Sequence, residues 1–468
     1  MSAVIEGSTA SPDKSAAPAG PHESLRWGEA VAIIVGIVVG AGIFKAPSLV
    51  AGMAGDTAWM FAAWVLGGLL SLVGALCYAE LATAHPHPGG DYHYLRRAYG
   101  PSVSLLFGWA RLAVITTGSI ALLAFVFGDY MQAAVPLPVA PALGSACYAA
   151  LAVVVLSWVN LAGLQAGSRT QVALTIAEIA GLLLVVVAAL TAPSAGAAPA
   201  AAPAASSAPG ASMFGLAMVF VLLTYGGWNE AAYISAELKD RRRTMARALV
   251  VSLALITLLY VLVNWAYWKG LGLEGMAKSD AIAAELLGRA FGPAGERVIS
   301  AIICVAALTS MNATMMVGAR TAYALGADWP ALRWLGRWDA ARNTPATALR
   351  VQGVAAVLLV AVGAWLGSGF KAMVEFTAPV FWLFFLLSGI ALFVLRAKEP
   401  QTERPFRVPL YPVLPVVFCA MCAYMLWSSL SYVYSQELGG LNAAWISVAV
   451  LAVGGVLVLA VRGRTARA

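Results

Sequence analysis

The stretch IIVGIVVGAGIFKAPSLV, residues 33–50, is apolar enough to cross a lipid bilayer, yet its centre reads Gly40-Ala41-Gly42-Ile43. Glycine weakens a helix by about 1 kcal/mol relative to alanine. The stretch therefore predicts a membrane helix that is interrupted near its middle. Such an interruption frees backbone carbonyls and amides, and at membrane depth these are tolerated only when protein buries them or a polar cavity adjoins them.

Composition places the whole chain in a membrane, because 61% of the residues are apolar, 11% are charged and the mean hydropathy is +0.82. Apolar runs of about 20 residues, the length that spans roughly 30 Å of hydrocarbon, recur along the chain. They predict an all-α membrane protein with twelve transmembrane helices, at about 29–53, 57–83, 102–131, 144–163, 171–192, 213–236, 246–269, 294–325, 348–367, 371–396, 411–435 and 442–462.

Lys and Arg concentrate in alternate loops, and such residues stay on the cytoplasmic side of short loops. The distribution predicts a multi-pass protein of the cytoplasmic (inner) membrane with both termini in the cytoplasm. The net charge of +7 follows from this bias and requires no nucleic acid. We expect a disordered tail over 1–25, a ten-helix transport core over 26–396, and helices 11 and 12 with a short tail over 397–468.

A second interruption lies in MFGLAMVFVLLTYGGWNEAAYISAELKD, residues 213–240, where the run from Tyr225 to Asn229 divides an apolar segment. Five spans separate the two interruptions, and an odd number inverts the second group relative to the first. The pattern favours a five-plus-five inverted repeat with broken helices 1 and 6, followed by helices 11 and 12. The structural alternative is that these glycines only let neighbouring helices pack closely.

Paired breaks offer both charges of a zwitterion a partner. Amides at the start of a half-helix favour a carboxylate, and carbonyls at the end of one favour an ammonium. The candidate amides belong to Gly42, Ile43 and Phe44, and the candidate carbonyls lie near Val38, Val39 and Thr224. We interpret the two segments as a receptor for a small zwitterion.

Several motifs resemble the amino acid–polyamine–organocation superfamily, in particular its L-type amino acid transporter branch. They are GIVVGAGIF (36–44), PGGDYHYLRRAYG (88–100), YGGWNEAAYISAELKDRRRTMARAL (225–249), SMNATMMVGARTAYALGAD (310–328) and RPFRVP (404–409). The resemblance covers nearly the whole chain. It implies a sodium-symporter-like fold and secondary active transport of amino acids by alternating access.

The resemblance also implies site residues. It places the substrate between the two broken helices, at Gly40, Ala41, Gly42, Ile43, Tyr225, Gly226, Gly227, Trp228 and Asn229. Asn229 either touches the substrate or only links the two helices, and Trp228 either shapes the side-chain pocket or serves as packing. Ser310 and Asn312 match helix 8 positions that face helix 1 in relatives, and the resemblance makes them candidate coupling residues.

Departures from the family pattern are also informative. Leu223 occupies a position where many L-type members carry an aromatic gate. The loop AAVPLPVAPALGS, residues 133–145, lacks the cysteine through which animal members bind a glycoprotein, so no disulfide-linked heavy subunit is expected.

Glu178 on helix 5 stands where proton-coupled and several bacterial members carry a lysine beside helix 1. An ionised, unpaired carboxylate inside a membrane costs a few kcal/mol. Glu178 is therefore a candidate coupling residue that loads and releases protons. The alternatives are a neutral side chain bonded to carbonyls of helix 1 or 8, and an ion pair with Lys45 or Arg111.

No nucleophile constellation or phosphate-binding loop is found in the sequence, so we expect neither an enzyme, nor ATP-driven transport, nor a cofactor. His85, His87 and His93 have no Cys or acidic cluster beside them to complete a metal site.

Helices 1 and 6 carry Glu230 as their one acidic candidate, which favours neutral amino acids as substrates. Cationic amino acids or polyamines remain an alternative substrate class, and an amino-acid-gated channel or a transporter-like sensor an alternative kind of protein.

Overall fold

The computed structural model describes residues 27–85, 90–162, 168–192, 209–231, 241–339, 342, 344–366, 369–435, 437–438, 441–442, 449–456 and 458–459. The predicted tail, 1–25, and His87 lie outside these ranges. The described chain is helical apart from its loops, an isolated β-bridge and a short hairpin of β1 (Glu437–Leu438) and β2 (Leu441–Asn442).

The helices follow the apolar runs of the sequence. Their bounds are α1 Trp27–Val38, α2 Ala46–Ala54, α3 Thr57–Ala84, α4 Asp91–Tyr99, α5 Pro101–Ala110, α6 Thr116–Ala134, α7 Pro141–Leu161, α8 Ser168–Thr191, α9 Ala211–Thr224, α10 Trp228–Ala231, α11 Arg241–Lys278, α12 Ile282–Asp328, α13 Ala346–Trp365, α14 Gly369–Lys398 and α15 Val413–Ser435. Residues 449–456 are again helical. A π-helical turn, Arg111–Ile115, joins α5 to α6.

Eight helical stretches of the described chain are long and apolar enough to cross a membrane, so the protein is a multi-pass membrane protein. They are Thr57–Ala84, Pro101–Ala134, Pro141–Leu161, Arg247–Lys278, Ile282–Tyr323, Ala346–Trp365, Gly369–Lys398 and Val413–Ser431. Each matches a predicted span. Of the other four, 29–53 and 213–236 are interrupted, 171–192 contains a shorter apolar helix, and 442–462 lies partly outside the described residues. The count of twelve therefore stays a prediction.

Both interruptions occur where the sequence predicts them. After α1 the backbone is extended at Gly40, forms a 3-10 turn over Ala41–Phe44, and becomes helical again at Ala46. After α9 the chain turns through Tyr225, Gly226 and Gly227. Gly227 has φ of 101°, a conformation that side chains other than glycine rarely adopt.

Two long helices bend at glycines beyond the predicted spans. Gly272 in α11 and Gly292 in α12 have φ near 70° and break the helical geometry, and Pro293 follows the second bend. These bends explain why α11 and α12 are longer than the predicted spans 246–269 and 294–325.

Small residues bring the helices around the breaks into close contact. A β-carbon on Gly67 of α3 would overlap Val221 of α9, and one on Gly74 would overlap Trp228. Close helix approach of this kind is typical of membrane proteins. The other side of α3 carries exposed apolar residues such as Leu69, as expected for a surface in contact with lipid.

Candidate functional site

A cavity of about 390 Å³ lies between the two interrupted helices. Its wall includes the unwound segments of both breaks and faces of α6, α12 and α14. Its lining residues include Gly40, Ala41, Gly42, Leu122, Leu123, Leu223, Thr224, Gly226, Gly227, Asn229, Ser310, Phe381, Phe385, Asp91 and Arg111. Following the charge-based prediction, we call the side of the protein on which Asp91 lies the inner side and the side on which Asp280 lies the outer side.

The predicted substrate-binding residues divide into two groups. Six of the nine line the cavity, namely Gly40, Ala41, Gly42, Gly226, Gly227 and Asn229. Ile43, Tyr225 and Trp228 do not line it; they are 0%, 0% and 3% exposed and pack behind its wall. The cavity is therefore bordered mainly by glycine-rich backbone, which leaves room for a solute to approach the peptide groups.

The two breaks touch each other. A β-carbon on Gly42 would lie 3.4 Å from Cγ2 of Thr224 and 3.5 Å from its Cα. The Ile43 amide makes only a long contact, 3.5 Å, with the Gly40 carbonyl, whereas the Lys45 amide donates to the Gly42 carbonyl at 3.0 Å. The start of the 3-10 turn thus retains weakly bonded donors close to the second break.

Tyr260 of α11 bridges the two breaks from outside the cavity. Its hydroxyl lies 3.2 Å from the Val38 carbonyl and 3.2 Å from the Thr224 carbonyl. Val38 and Thr224 are the last helical residues before the two interruptions. A hydroxyl carries one proton and donates to one acceptor at a time. The carbonyls predicted to meet an ammonium therefore already share a protein donor, and each keeps acceptor capacity.

Nothing in the sequence singles out Tyr260, since it lies within an ordinary apolar span. It is 0% exposed, and its ring packs against Tyr225 with centroids 4.9 Å apart. Tyr225 in turn donates to the Trp64 carbonyl of α3 at 3.0 Å. These side chains hold the second break in place without entering the cavity.

Aromatic side chains form much of the remaining wall. Trp228 packs edge-on against Tyr78 and Phe385, with centroids 5.4 and 5.6 Å apart. Phe385 lines the cavity, and Trp228 supports it from behind. Leu223 also lines the cavity, at the position where the family pattern has an aromatic gate.

Ser310 and Asn312 of α12 face different ways. Ser310 lines the cavity, whereas the Asn312 side chain accepts a hydrogen bond of 2.6 Å from Asn160 of α7. Ser310 and Asn312 are two positions apart, which on an α-helix is a rotation of about 200°. That both residues face helix 1 stays a prediction.

Glu178 of α8 is 6% exposed and does not line the cavity, although its helix adjoins the first break. A β-carbon on Gly181, one turn further along, would lie 3.9 Å from the ring of Phe44. The Oε1 atom of Glu178 has no hydrogen-bond partner among the described residues. Lys45 is not its ionic partner, because the Lys45 Nζ lies 2.7 Å from Asp129 Oδ2.

Charged residues join the helices at the inner side. Glu80 of α3, 2% exposed, accepts two hydrogen bonds from Arg396, of 2.7 and 2.6 Å, and one of 2.6 Å from the Val408 amide. Arg404 lies 3.6 Å from the same carboxylate. The RPFRVP motif at 404–409 therefore packs over a buried acid, and this partner could not be predicted from the motif.

Two further ionisable groups, Glu399 and His85, lie beside this cluster. The hydrogen bond from Arg97 lowers the pKa of Glu399, so that pair stays ionised at neutral pH. Burial and the nearby Arg97 lower the pKa of His85, which keeps its imidazole neutral there. Within the described ranges, no group of three or more His, Cys, Asp or Glu side chains is arranged to hold a metal ion.

A multi-pass helical bundle with two interrupted helices around a solute-sized cavity has the architecture of a membrane transport protein. The family model described as amino acid permease matches residues 25–460, and the chain belongs to that family.

Curated relatives match over most of their length. The b(0,+)-type amino acid transporter 1 of Homo sapiens is 29% identical over 400 residues, which cover 84% of this chain and 80% of the relative. The Large neutral amino acids transporter small subunit 2 of Mus musculus is 27% identical over 440 residues, which cover 90% of this chain and 80% of the relative.

Proposed function

We propose that this protein is a secondary active transporter that moves neutral amino acids across the cytoplasmic membrane by alternating access. The observation that carries the proposal is the contact of Gly42 with Thr224, since it joins two interrupted helices at one cavity. Amides of one break and carbonyls of both then lie within one small volume, as a zwitterion requires.

The side-chain environment supports a neutral substrate. Much of the wall beyond the glycines is apolar, with Leu122, Leu123, Leu223, Phe381 and Phe385. An apolar wall gains free energy from burying an aliphatic or aromatic side chain, and it penalises an unpaired charge. One relative is named a transporter of large neutral amino acids, which agrees with this preference.

Cationic amino acids or polyamines are the second candidate, and Asp91 is the observation that favours them. It is buried, lines the cavity, and accepts hydrogen bonds from Tyr78 (2.7 Å) and Ser388 (2.9 Å). Arg111 lines the same cavity and opposes a second positive charge.

The architecture proposed with this function has twelve spans. Ten of them form the five-plus-five inverted repeat over 26–396, helices 11 and 12 follow over 397–468, and both termini are cytoplasmic. The interrupted segments 29–53 and 213–236 supply the corresponding first helices of the two halves. We further propose Glu178 as the proton-coupling residue, supported by its burial beside the first break and its unbonded Oε1.

We propose that no disulfide-linked heavy subunit is required, because residues 133–145 contain no cysteine. The mouse relative is named a small subunit. A partner subunit bound without a disulfide would be compatible with this proposal. Pull-down of the tagged protein under reducing and non-reducing conditions tests the disulfide: a partner released only by reductant would contradict the proposal.

A thermal-shift screen of the purified protein tests the substrate class. The panel contains all amino acids and the common polyamines. Ligand that binds only the folded state raises the melting temperature by mass action. We expect the largest shifts from large neutral amino acids. Shifts confined to lysine, arginine or polyamines would establish the cationic alternative instead.

A further inference from the structure

Lys45 is a buried lysine at the outer end of the first interruption, and it is 7% exposed. Its Nζ lies 2.7 Å from Asp129 Oδ2, donates to the Asp280 carbonyl at 2.7 Å, and is 3.6 Å from Asp280 Oδ1. A buried charge is stable only when it is paired and hydrogen-bonded. This arrangement satisfies that requirement through two elements distant in sequence.

Neighbouring residues reinforce the same junction. Asp129 accepts a second hydrogen bond, of 2.5 Å, from Ser145 of α7. The next residue, Tyr130, donates to the Phe44 carbonyl at 2.6 Å and accepts from the Ala283 amide at 3.3 Å. The end of α6 thus holds the last residue of the 3-10 turn, Phe44, and the residue after it, Lys45, and it also holds the start of α12.

The junction lies beyond the outer end of the cavity. On α6 the cavity wall reaches Leu123, and Asp129 lies about 9 Å further along the helix axis. None of Lys45, Asp129 and Tyr130 lines the cavity. The side chain of Asp280 is 95% exposed, so the junction borders solvent on its far side.

We propose that the Lys45–Asp129 ion pair is the outer latch of this transporter: it closes the route from the cavity to the outer side and releases when that route opens. The inference rests on alternating access, as proposed above. The pair exists only in the closed arrangement, where the loss of either partner would leave the other charge buried and unpaired. It therefore stabilises that arrangement selectively, and only such a differential interaction shifts a conformational equilibrium.

The test measures access to the cavity from outside. All five cysteines are replaced by alanine, and Leu123→Cys is introduced as a reporter on the cavity wall. Intact cells are treated with a membrane-impermeant maleimide, and the labelling rate is compared with and without Lys45→Gln. Glu274→Cys, at an exposed position near Asp280, serves as a second reporter. Its labelling in intact cells shows that this side of the protein faces the outside.

We expect Lys45→Gln to raise the labelling rate of Leu123→Cys about fivefold or more, the usual size of a coupled conformational shift. Asp129→Asn preserves the shape of its side chain and should act in the same direction. The matched control is Lys278→Gln, which breaks an exposed outer ion pair with Glu274 and should leave the rate unchanged.

An unchanged rate in both Lys45→Gln and Asp129→Asn, in protein that elutes as a single species in detergent, would overturn the latch. Equal acceleration by Lys278→Gln would overturn it as well. The assay needs no substrate, so its outcome is separate from that of the transport measurement. Labelling that depends on Lys45 in a protein that moves no amino acid would support the latch and reject the proposed substrate.

Discussion

Gly42 and Thr224 meet across the two helix breaks, so closely that a β-carbon on the glycine would already be in van der Waals contact with the threonine. The first break therefore has no room for a branched side chain. The contact also means that the two interruptions cannot move independently while the cavity keeps its present shape.

Gly42→Val should weaken amino acid binding, because its methyl groups would press on Thr224 and displace the backbone amides. Overpacking of this kind costs about 1–3 kcal/mol, or roughly a factor of 5 to 150 in affinity. Gly42→Ala, whose β-carbon makes an ordinary contact, should lose much less. Binding is measured by calorimetry on monodisperse protein, and wild-type affinity in Gly42→Val would remove this break from the site.

Tyr260→Phe removes the hydroxyl that bridges the Val38 and Thr224 carbonyls. We expect a loss of about 1 kcal/mol of stability, the usual net value of a hydrogen bond, together with a several-fold weaker affinity. Tyr267→Phe is the matched control, since the Tyr267 hydroxyl on the same helix has no hydrogen-bond partner among the described residues. Equal effects of the two variants would show that the bridge is unimportant.

Asn229→Ala should weaken substrate binding or slow exchange several-fold, because the side chain lines the cavity and can both donate and accept. Asn160→Ala serves as the control, since Asn160 bonds Asn312 outside the cavity. The rates of amino acid exchange in proteoliposomes are compared for Asn229→Ala and Asn160→Ala. Unaltered exchange and binding in Asn229→Ala would assign the residue to packing.

Glu178→Gln should keep substrate binding and exchange but lose uptake driven by an inward proton gradient, because the amide cannot carry the proton. Glu375→Gln, at another largely buried carboxyl outside the cavity wall, should keep both activities. Accumulation in Glu178→Gln equal to that of wild type would rule out the coupling role. Exchange without gradient-driven uptake in wild type itself would make Glu178 a structural replacement for the family's lysine.

Glu80→Gln should lower the thermal midpoint of the purified protein by several degrees. The change leaves Arg396 beside a neutral group, and breaking a largely buried ion pair costs about 2 kcal/mol or more. Glu274→Gln, in an exposed pair, should leave the thermal midpoint unchanged. Similar midpoints for wild type and Glu80→Gln would show that the inner cluster contributes little to stability.

Features with a strong local signal could be predicted from the sequence. Apolar length identified the eight spans that the structure shares with the prediction, and the Gly40–Gly42 and Gly226–Gly227 segments marked both interruptions. Glycine is informative here because it removes the side chain that would stabilise the helix and fill the cavity.

Features that depend on tertiary packing could not be predicted. The bridging hydroxyl of Tyr260, the acidic partner of Arg404 and the partner of Lys45 each come from a distant part of the chain. The rotation of Asn312 away from the cavity likewise follows from how α12 packs against α7. A motif places a residue on a helix, whereas the neighbouring helices decide which side chains reach the cavity.

Alternating access by this protein is measured by counterflow. Proteoliposomes loaded with unlabelled leucine are diluted into a trace of labelled leucine without any ion gradient, in parallel with protein-free liposomes and with Gly42→Val. We expect transient, saturable accumulation of label above its equilibrium level with the wild-type protein, much less with Gly42→Val, and none in protein-free liposomes. Label that only equilibrates, without overshoot and without saturation, would indicate a channel and contradict alternating access through the cavity between the two broken helices.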